Sequence, residues 1–360
     1  MPRGLEGFAA DLRTPEMGYL REREPVYARL LDLLDGLLEG DFGARLATAW
    51  VNREVHATYA RPLLLLCALR YDALGDPDHP LHAALAESPP RIESVSAAAL
   101  EAGVAPERTR FWHALRERAV QTNETTRAVT WLWPAALLAA AGERRPIALV
   151  DMGTSAGLNL TADALPPLWE DANGAAIPVA PRPELALRLG FDIAPLDVRA
   201  PDAARWLRAA VWPSDSRIAR LEGAIACFIA AAARADAPRL VTCALPDVPA
   251  QLDALPREPL ILCMQTIVRD YLSAADRDRY EAEMRDFLLR RPALGALWAE
   301  LEMDTERATS QTDSAALRVH YVAEHGALRE LLLARTHPHP RQLFADAAAV
   351  AELQRDFAPR

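Results

Sequence analysis

Two rhythms of apolar residues divide this chain. Before residue 146 they recur at helical spacing: Leu30, Leu31, Leu33, Leu34, Leu37 and Leu38 precede Gly40. Arg61–Tyr71 predicts a second helix, stopped by Gly75-Asp76-Pro77, and 106–126 a third that carries Phe111 and Trp112. No strand alternation occurs there, so 1–145 reads as an all-helical N-terminal domain or lid. After Pro146 short apolar runs predict strands at 147–152, 187–193, 239–243, 260–264 and 294–301. Helical stretches at 158–164, 203–211, 217–233, 249–255 and 274–289 separate them. Such alternation predicts an α/β class with a doubly wound, mostly parallel sheet over 146–360. The end differs: 317–322, a Glu324-His-Gly326 turn and 328–334 predict an antiparallel hairpin. The turn-rich stretch Pro166 to Pro183 reads as an inserted loop or small hairpin over the strand ends.

The chemistry concentrates where the two rhythms meet. In Ile147-Ala-Leu-Val-Asp-Met-Gly-Thr-Ser-Ala-Gly-Leu-Asn-Leu160 an apolar run ends in Asp151. Two glycines stand four apart, and an apolar helical sequence follows. This is the order of a buried strand, a tight turn and a helix start. Gly153 accepts φ > 0 and Gly157 permits close approach to the backbone. Free N–H groups at the helix start suit a carboxylate or phosphate.

The spacing Gly153-x-x-x-Gly157 is not the G-x-G-x-x-G dinucleotide order. It resembles motif I of the class I S-adenosylmethionine-dependent methyltransferases. The resemblance implies a Rossmann-like sheet closed by an antiparallel strand pair, with S-adenosylmethionine held by Asp151, Gly153, Thr154, Gly157 and Asn159. The same pattern places a ribose-binding carboxylate at the end of the second strand. Asp192 of Gly190-Phe-Asp-Ile-Ala-Pro195 takes that place, with Asp197 as the neighbouring alternative. Its distance from Asp151 exceeds the roughly 20 positions expected; the proline-rich insertion takes up the excess. Asp247, after Cys243-Ala-Leu-Pro246, is the adenine-side candidate, although the phrase departs from the usual Asp-Ala. After the 260–264 run come Gln265 as a catalytic candidate and Arg269 and Tyr271 as substrate-binding ones; Thr266 shares the position.

A further polar group, Gln121-Thr-Asn-Glu-Thr-Thr-Arg127, precedes the apolar segment that leads into the glycine strand. On a helix Asn123 and Arg127 share a face, as do Gln121 and Glu124. As a lid over the cofactor, this segment offers Glu124 and Arg127 for catalysis and Gln121 and Asn123 for substrate binding. Its bland reading is a helix start capped by Thr122 or Asn123.

Composition narrows the partners. The net charge of −10 argues against a general nucleic-acid surface, and 51% hydrophobic residues allow a large core. No apolar run reaches membrane length and the N-terminus lacks an apolar signal core, which predicts a cytoplasmic protein. Cys67, Cys227, Cys243 and Cys263 form no C-x-x-C and read as reduced residues. His79 and His82 lack a third ligand nearby, and His337-Pro-His339-Pro reads as a rigid extended loop, so no metal is expected.

Taken together, Gln121-Thr-Asn-Glu124 with Arg127, Gly153-Thr-Ser-Ala-Gly-Leu-Asn159, Pro195-Leu-Asp-Val198, Arg205-Trp-Leu with Val211-Trp-Pro213, and His337-Pro-His339 resemble the uncharacterised bacterial domain-of-unknown-function family 2332. That resemblance implies a Rossmann-like fold with an N-terminal helical region and no reaction. The leading expectation from the residues is methyl transfer to a small molecule; the alternatives are ligand binding and regulation on the same scaffold without transfer, and, third, a nucleotide-dependent enzyme of another class.

Overall fold

The run Ile147–Met152 forms β1 at the centre of a nine-stranded sheet, and all six of its residues are buried. A strand covered on both faces needs no polar alternation, which is why its sequence is nearly all apolar. In this computed structural model the other strands are β2 (Glu170–Asp171), β3 (Leu185–Asp192), β4 (Arg239–Thr242), β5 (Leu260–Thr266), β6 (Ala296–Met303), β7 (Ala315–Val322), β8 (Leu328–Thr336) and β9 (Gln342–Ala345). Their order is β2-β9-β8-β7-β6-β5-β1-β3-β4. Strands β4, β3, β1, β5 and β6 run parallel. From β6 to β9 successive neighbours are antiparallel, and β2 joins β9 in parallel. The structure describes residues 5, 7–51, 53, 59–121, 123–213, 217–308 and 310–359.

The chain divides into two compact units, 1–122 with 199–220, and 123–198 with 221–360. The first unit is helical, with no strand among its described residues. It includes Pro25–Leu37, Asp41–Trp50, Ala60–Leu74, Thr109–Glu117 and, from later in the chain, Pro201–Ala210. That last helix joins Ala60–Leu74 through Trp206 and Tyr71, whose rings meet edge to face at 5.4 Å. The second unit holds the whole sheet and takes in 123–145, which the helical rhythm alone assigns to the N-terminal part.

Strand periodicity sorts the core of the second unit. Ile147 and Leu149 of β1 join Leu262, Leu297 and Leu317 on one face, under helices Val129–Ala141 and Ala347–Phe357. Ala148, Val150 and Met152 point the other way, with Cys263 and Trp298, under Val248–Leu252 and Ala274–Arg290. Helices therefore cover both faces. Burial of each large apolar side chain contributes about 1.5–3 kcal/mol.

The helix expected over 106–126 is two elements. Thr109–Glu117 is α-helical, and Thr125–Ala128 is a short 3-10 turn capped by Glu124, whose carboxylate accepts from Thr126 N at 3.0 Å. Asn123 and Arg127 thus share no helix face. Thr122, one cap candidate, lies outside the described residues, and Asn123 is not the cap.

Candidate functional site

The glycine turn leaves β1 at its carboxyl end, between β3 and β5. Gly153 has φ of 79° and Gly157 of 73°, so both use the freedom expected of them. The turn is stitched to the end of β3: Gly153 N and Thr154 N donate to Phe191 O at 2.8 and 3.0 Å. Thr154 rests on Gly190, where a Cβ would lie 2.6 Å from the threonine methyl. Its hydroxyl donates to Asp151 Oδ2 at 2.8 Å. Burial raises the Asp151 carboxyl from 3.8 to about 7, with nearby Asp192 adding to the rise and Thr154 opposing it.

Asp192 holds two loops. Its Oδ2 accepts from Ser155 N at 2.8 Å and its Oδ1 from Ala194 N at 2.9 Å. A carboxylate oxygen accepts two bonds, so acceptor capacity remains for a ligand hydroxyl. Ile193, 71% exposed, stands beside it.

The space beside both glycines is filled by the protein. A Cβ on Gly153 would meet Val268 Cγ2 at 2.7 Å; on Gly157 it would meet Leu240 and Phe228 at 2.7 and 2.9 Å. Close approach to the backbone is what glycine at 157 provides here: side chains from β4 and helix Arg217–Ala231 close onto the turn.

The polar segment 123–127 does reach the turn. Asn123 Nδ2 donates to Ser155 Oγ at 2.6 Å. Glu124, buried, pairs with His339 Nδ1 at 2.9 Å through Oε2, and Arg127 Nε donates to Pro338 O at 2.9 Å. Gln121 belongs to the first unit. Asn159 accepts Trp131 Nε1 on its carbonyl at 3.0 Å, while its buried Oδ1 has no partner among the described residues.

Of the candidates at and beyond the end of β5, Gln265 and Arg269 join a separate polar network. Gln265 is fully buried and its amide is engaged: Nε2 donates to Glu302 at 2.8 Å, and Oε1 accepts from Trp298 Nε1 at 3.1 Å and from Tyr280. These bonds tie the amide to β6 and to helix Ala274–Arg290. Arg269 reaches inward to Glu300 at 2.6 Å and Glu281 at 3.2 Å. Burial pushes Glu300 up, but His320 and Arg269 outweigh it and hold the carboxyl below its ordinary value. Burial raises Glu302 from 4.5 to about 7. Tyr271 is exposed, and Asp247 pairs on the surface with Arg279. Ser155, Glu300, Glu302 and His320 are polar features that the sequence reading passes over, and His339 is read there as part of a rigid loop without a role at the turn. Their signal was present: charged residues at alternate positions inside an apolar strand at Glu300 and Glu302, and a serine between the two glycines.

A cavity of about 660 Å³ opens elsewhere, near the start of β3, lined by Asp163, Arg182, Glu184, Arg188, Arg234 and Asp236 among others. Arg188 is bidentate on Asp163 at 2.6 and 2.9 Å and donates once to Asp236 at 2.8 Å. No group of three or more His, Cys, Asp or Glu among the described residues is arranged for a metal. No helix among them is long and apolar enough to cross a membrane.

Fold and site define a mixed α/β protein whose polar groups gather at the carboxyl edge of a mostly parallel sheet. Residues 19–344 match the family described as an uncharacterized protein conserved in bacteria, DUF2332, and the chain belongs to it. No curated protein matches the chain.

Proposed function

We propose that the second unit is a Rossmann-like, S-adenosylmethionine-dependent methyltransferase acting on a small molecule. The supporting observation is the pair Asp151 and Asp192 flanking the glycine turn where the strand order reverses. Numbered along the chain without the short β2, the strands from β4 to β7 stand as 3-2-1-4-5-6, with only the last antiparallel. Doubly wound sheets of this order bind ligands outside the carboxyl ends of the strands at the reversal. Asp192 offers its remaining lone pairs to ribose hydroxyls, and exposed Ile193 offers an apolar face to adenine. Asp151, raised toward 7, gains a counter-charge from the methionine ammonium.

The cofactor would supply a methyl group already activated as a sulfonium. The protein then has to orient an acceptor and exclude water. Asn123, Glu124 and Arg127 frame the acceptor side. Isothermal calorimetry with S-adenosylmethionine tests this. Binding is expected, with about a tenfold loss or more in Asp192→Asn, and acceptor screening should yield S-adenosylhomocysteine. No binding by folded wild-type chain would end the reading. Val268, Leu240 and Phe228 against the glycines favour a second reading, a ligand-binding protein without transfer. Binding without turnover across acceptor classes would support that one.

A further inference from the structure

The two carboxylates inside β6 have a common use. Glu300 and Glu302 are buried at alternate positions, so both side chains point to the sheet face under helix Ala274–Arg290. Each holds one of two consecutive residues in the connection that leaves β5. Glu302 Oε1 accepts from Val268 N at 3.2 Å, and Glu300 Oε2 pairs with Arg269 Nη2 at 2.6 Å. Glu281, on the helix, meets Arg269 Nε at 3.2 Å. The sheet supplies the other partners: Gln265 Nε2 shares Glu302 Oε1 at 2.8 Å, and His320 Nε2 lies 3.3 Å from Glu300 Oε1. Glu302 Oε2 is buried without a hydrogen-bond partner among the described residues. A buried acceptor left unmade is costly, so the hold on Val268 is incomplete.

The connection is strained as well as tied. Ile267 has φ of 49°, a left-handed value that is an outlier for a β-branched side chain. Such a conformation persists only where its surroundings enforce it. Ile267 N donates to Leu301 O at 2.8 Å, which extends the β5–β6 ladder by one residue, and the next amide goes to Glu302. Between those two bonds the chain turns out of the ladder. The turn carries Val268 to the face of Gly153, where its Cγ2 lies 2.7 Å from the place of a Cβ. An apolar side chain therefore occupies the space beside the glycine turn, held there by a buried carboxylate and a strained residue.

We propose that residues 267–271 form a gate over the glycine turn, closed by Val268 and latched by Glu302 and Glu300. Ligand binding draws Val268 away, and Ile267 relaxes out of the left-handed region. This rests on the reading that a cofactor enters at the carboxyl ends of β1 and β3. Relief of the Ile267 strain offsets part of what is lost when Val268 N leaves Glu302, which keeps the closed and open states close in energy. The ligand then binds only the open fraction, and its apparent affinity is reduced by that fraction.

Two measurements on the full chain test the gate. The first needs no ligand. Amide hydrogen exchange is read by mass spectrometry for peptides over 266–272, with β1 and β5 as references. Glu302→Ala removes the acceptor of Val268 N and should speed exchange over 266–272 about tenfold or more, with β1 and β5 at their wild-type rates. Glu302→Gln keeps an acceptor oxygen and should restore slow exchange. The second is calorimetry with S-adenosylhomocysteine. A minor open state is about 0.1–10% of the population, so Val268→Ala should bind at least about tenfold more tightly than the wild type.

Unchanged exchange over 266–272 in a folded Glu302→Ala overturns the gate. So does equal affinity of Val268→Ala and a wild type that binds. If Glu302→Ala does not fold, Arg269→Ala, which cuts the ties to Glu300 and Glu281, takes its place with the same expectation. Binding by Val268→Ala alone would support the gate. If neither chain binds S-adenosylhomocysteine, the cofactor reading fails and the exchange result alone decides the gate.

Discussion

Asp151→Asn should change the pH dependence of stability more than stability itself. The carboxyl is 2% exposed, and its pKa rises from 3.8 to about 7 on folding, mainly through burial. Between those values the folded state binds a proton that the unfolded state has lost. Stability therefore falls as pH rises through that window, and levels off above about 7. At 1.36 kcal/mol per unit, the shift from 3.8 to about 7 corresponds to a loss of about 4 kcal/mol at most. Asparagine has the shape of the protonated acid and its oxygen can accept from the Thr154 hydroxyl, but it does not titrate. Urea unfolding of both proteins at several pH values is the assay. At pH 4 the two should agree within about 1 kcal/mol, and at pH 8 the variant should be the more stable by up to about 4 kcal/mol. A constant difference across the range would mean that Asp151 is ionised at its ordinary pKa, and the account of a buried, poised carboxyl at the turn would fail. The same reasoning predicts that S-adenosylmethionine binding near pH 6 releases up to one proton, readable by calorimetry in buffers of different ionisation enthalpy.

Asp192→Ala removes the acceptor for Ser155 N and Ala194 N. A loss of about 2 kcal/mol is expected, or about 4–8 °C in the melt of the second unit; an unchanged melt would mean water replaces both bonds. Gly157→Ala combines φ of 73° with contacts of 2.7 and 2.9 Å to Leu240 and Phe228. It should cost about 2–4 kcal/mol in denaturant titration, and a neutral result would show that those side chains give way freely. Arg188→Ala leaves Asp163 and Asp236 without their buried partner and should cost about 3–5 kcal/mol, measured the same way. A loss under 1 kcal/mol would mean the two carboxylates are solvated.

Much of the fold is legible because its central strands are buried on both faces and so written as short apolar runs. Seven of the observed strands lie within two residues of those runs at each end. The two that were not foreseen are short. β2 spans Glu170–Asp171 and exists by pairing with β9, a partner distant in sequence. Helical spacing overran at Glu117 because local propensity has no knowledge of tertiary bonds: Asn123 leaves helical geometry to hold Ser155.

The site was legible in position more than in role. Asp151, Asp192 and Asn123 do meet at the turn, since strand ends and glycines mark it in sequence. Gln265 reads as a site residue by its place after the apolar run 260–264, yet Glu302, Trp298 and Tyr280 engage its amide. Those partners come from β6 and a helix, which spacing along one segment does not reveal. Ser155 stands in plain view, but two glycines four apart draw attention to a cofactor turn. Its φ of 52° is a property of the folded backbone that the sequence does not spell out.

The central claim is that ligands enter at the carboxyl ends of β1 and β3. A crystal structure of the full chain with S-adenosylhomocysteine tests it most directly. The account predicts the ribose hydroxyls within hydrogen-bond distance of Asp192, adenine over Ile193, and the amino acid portion beside Asp151, with Val268 displaced from the face of Gly153. Cofactor bound at another edge of the sheet, or none bound at saturating concentration, would contradict it.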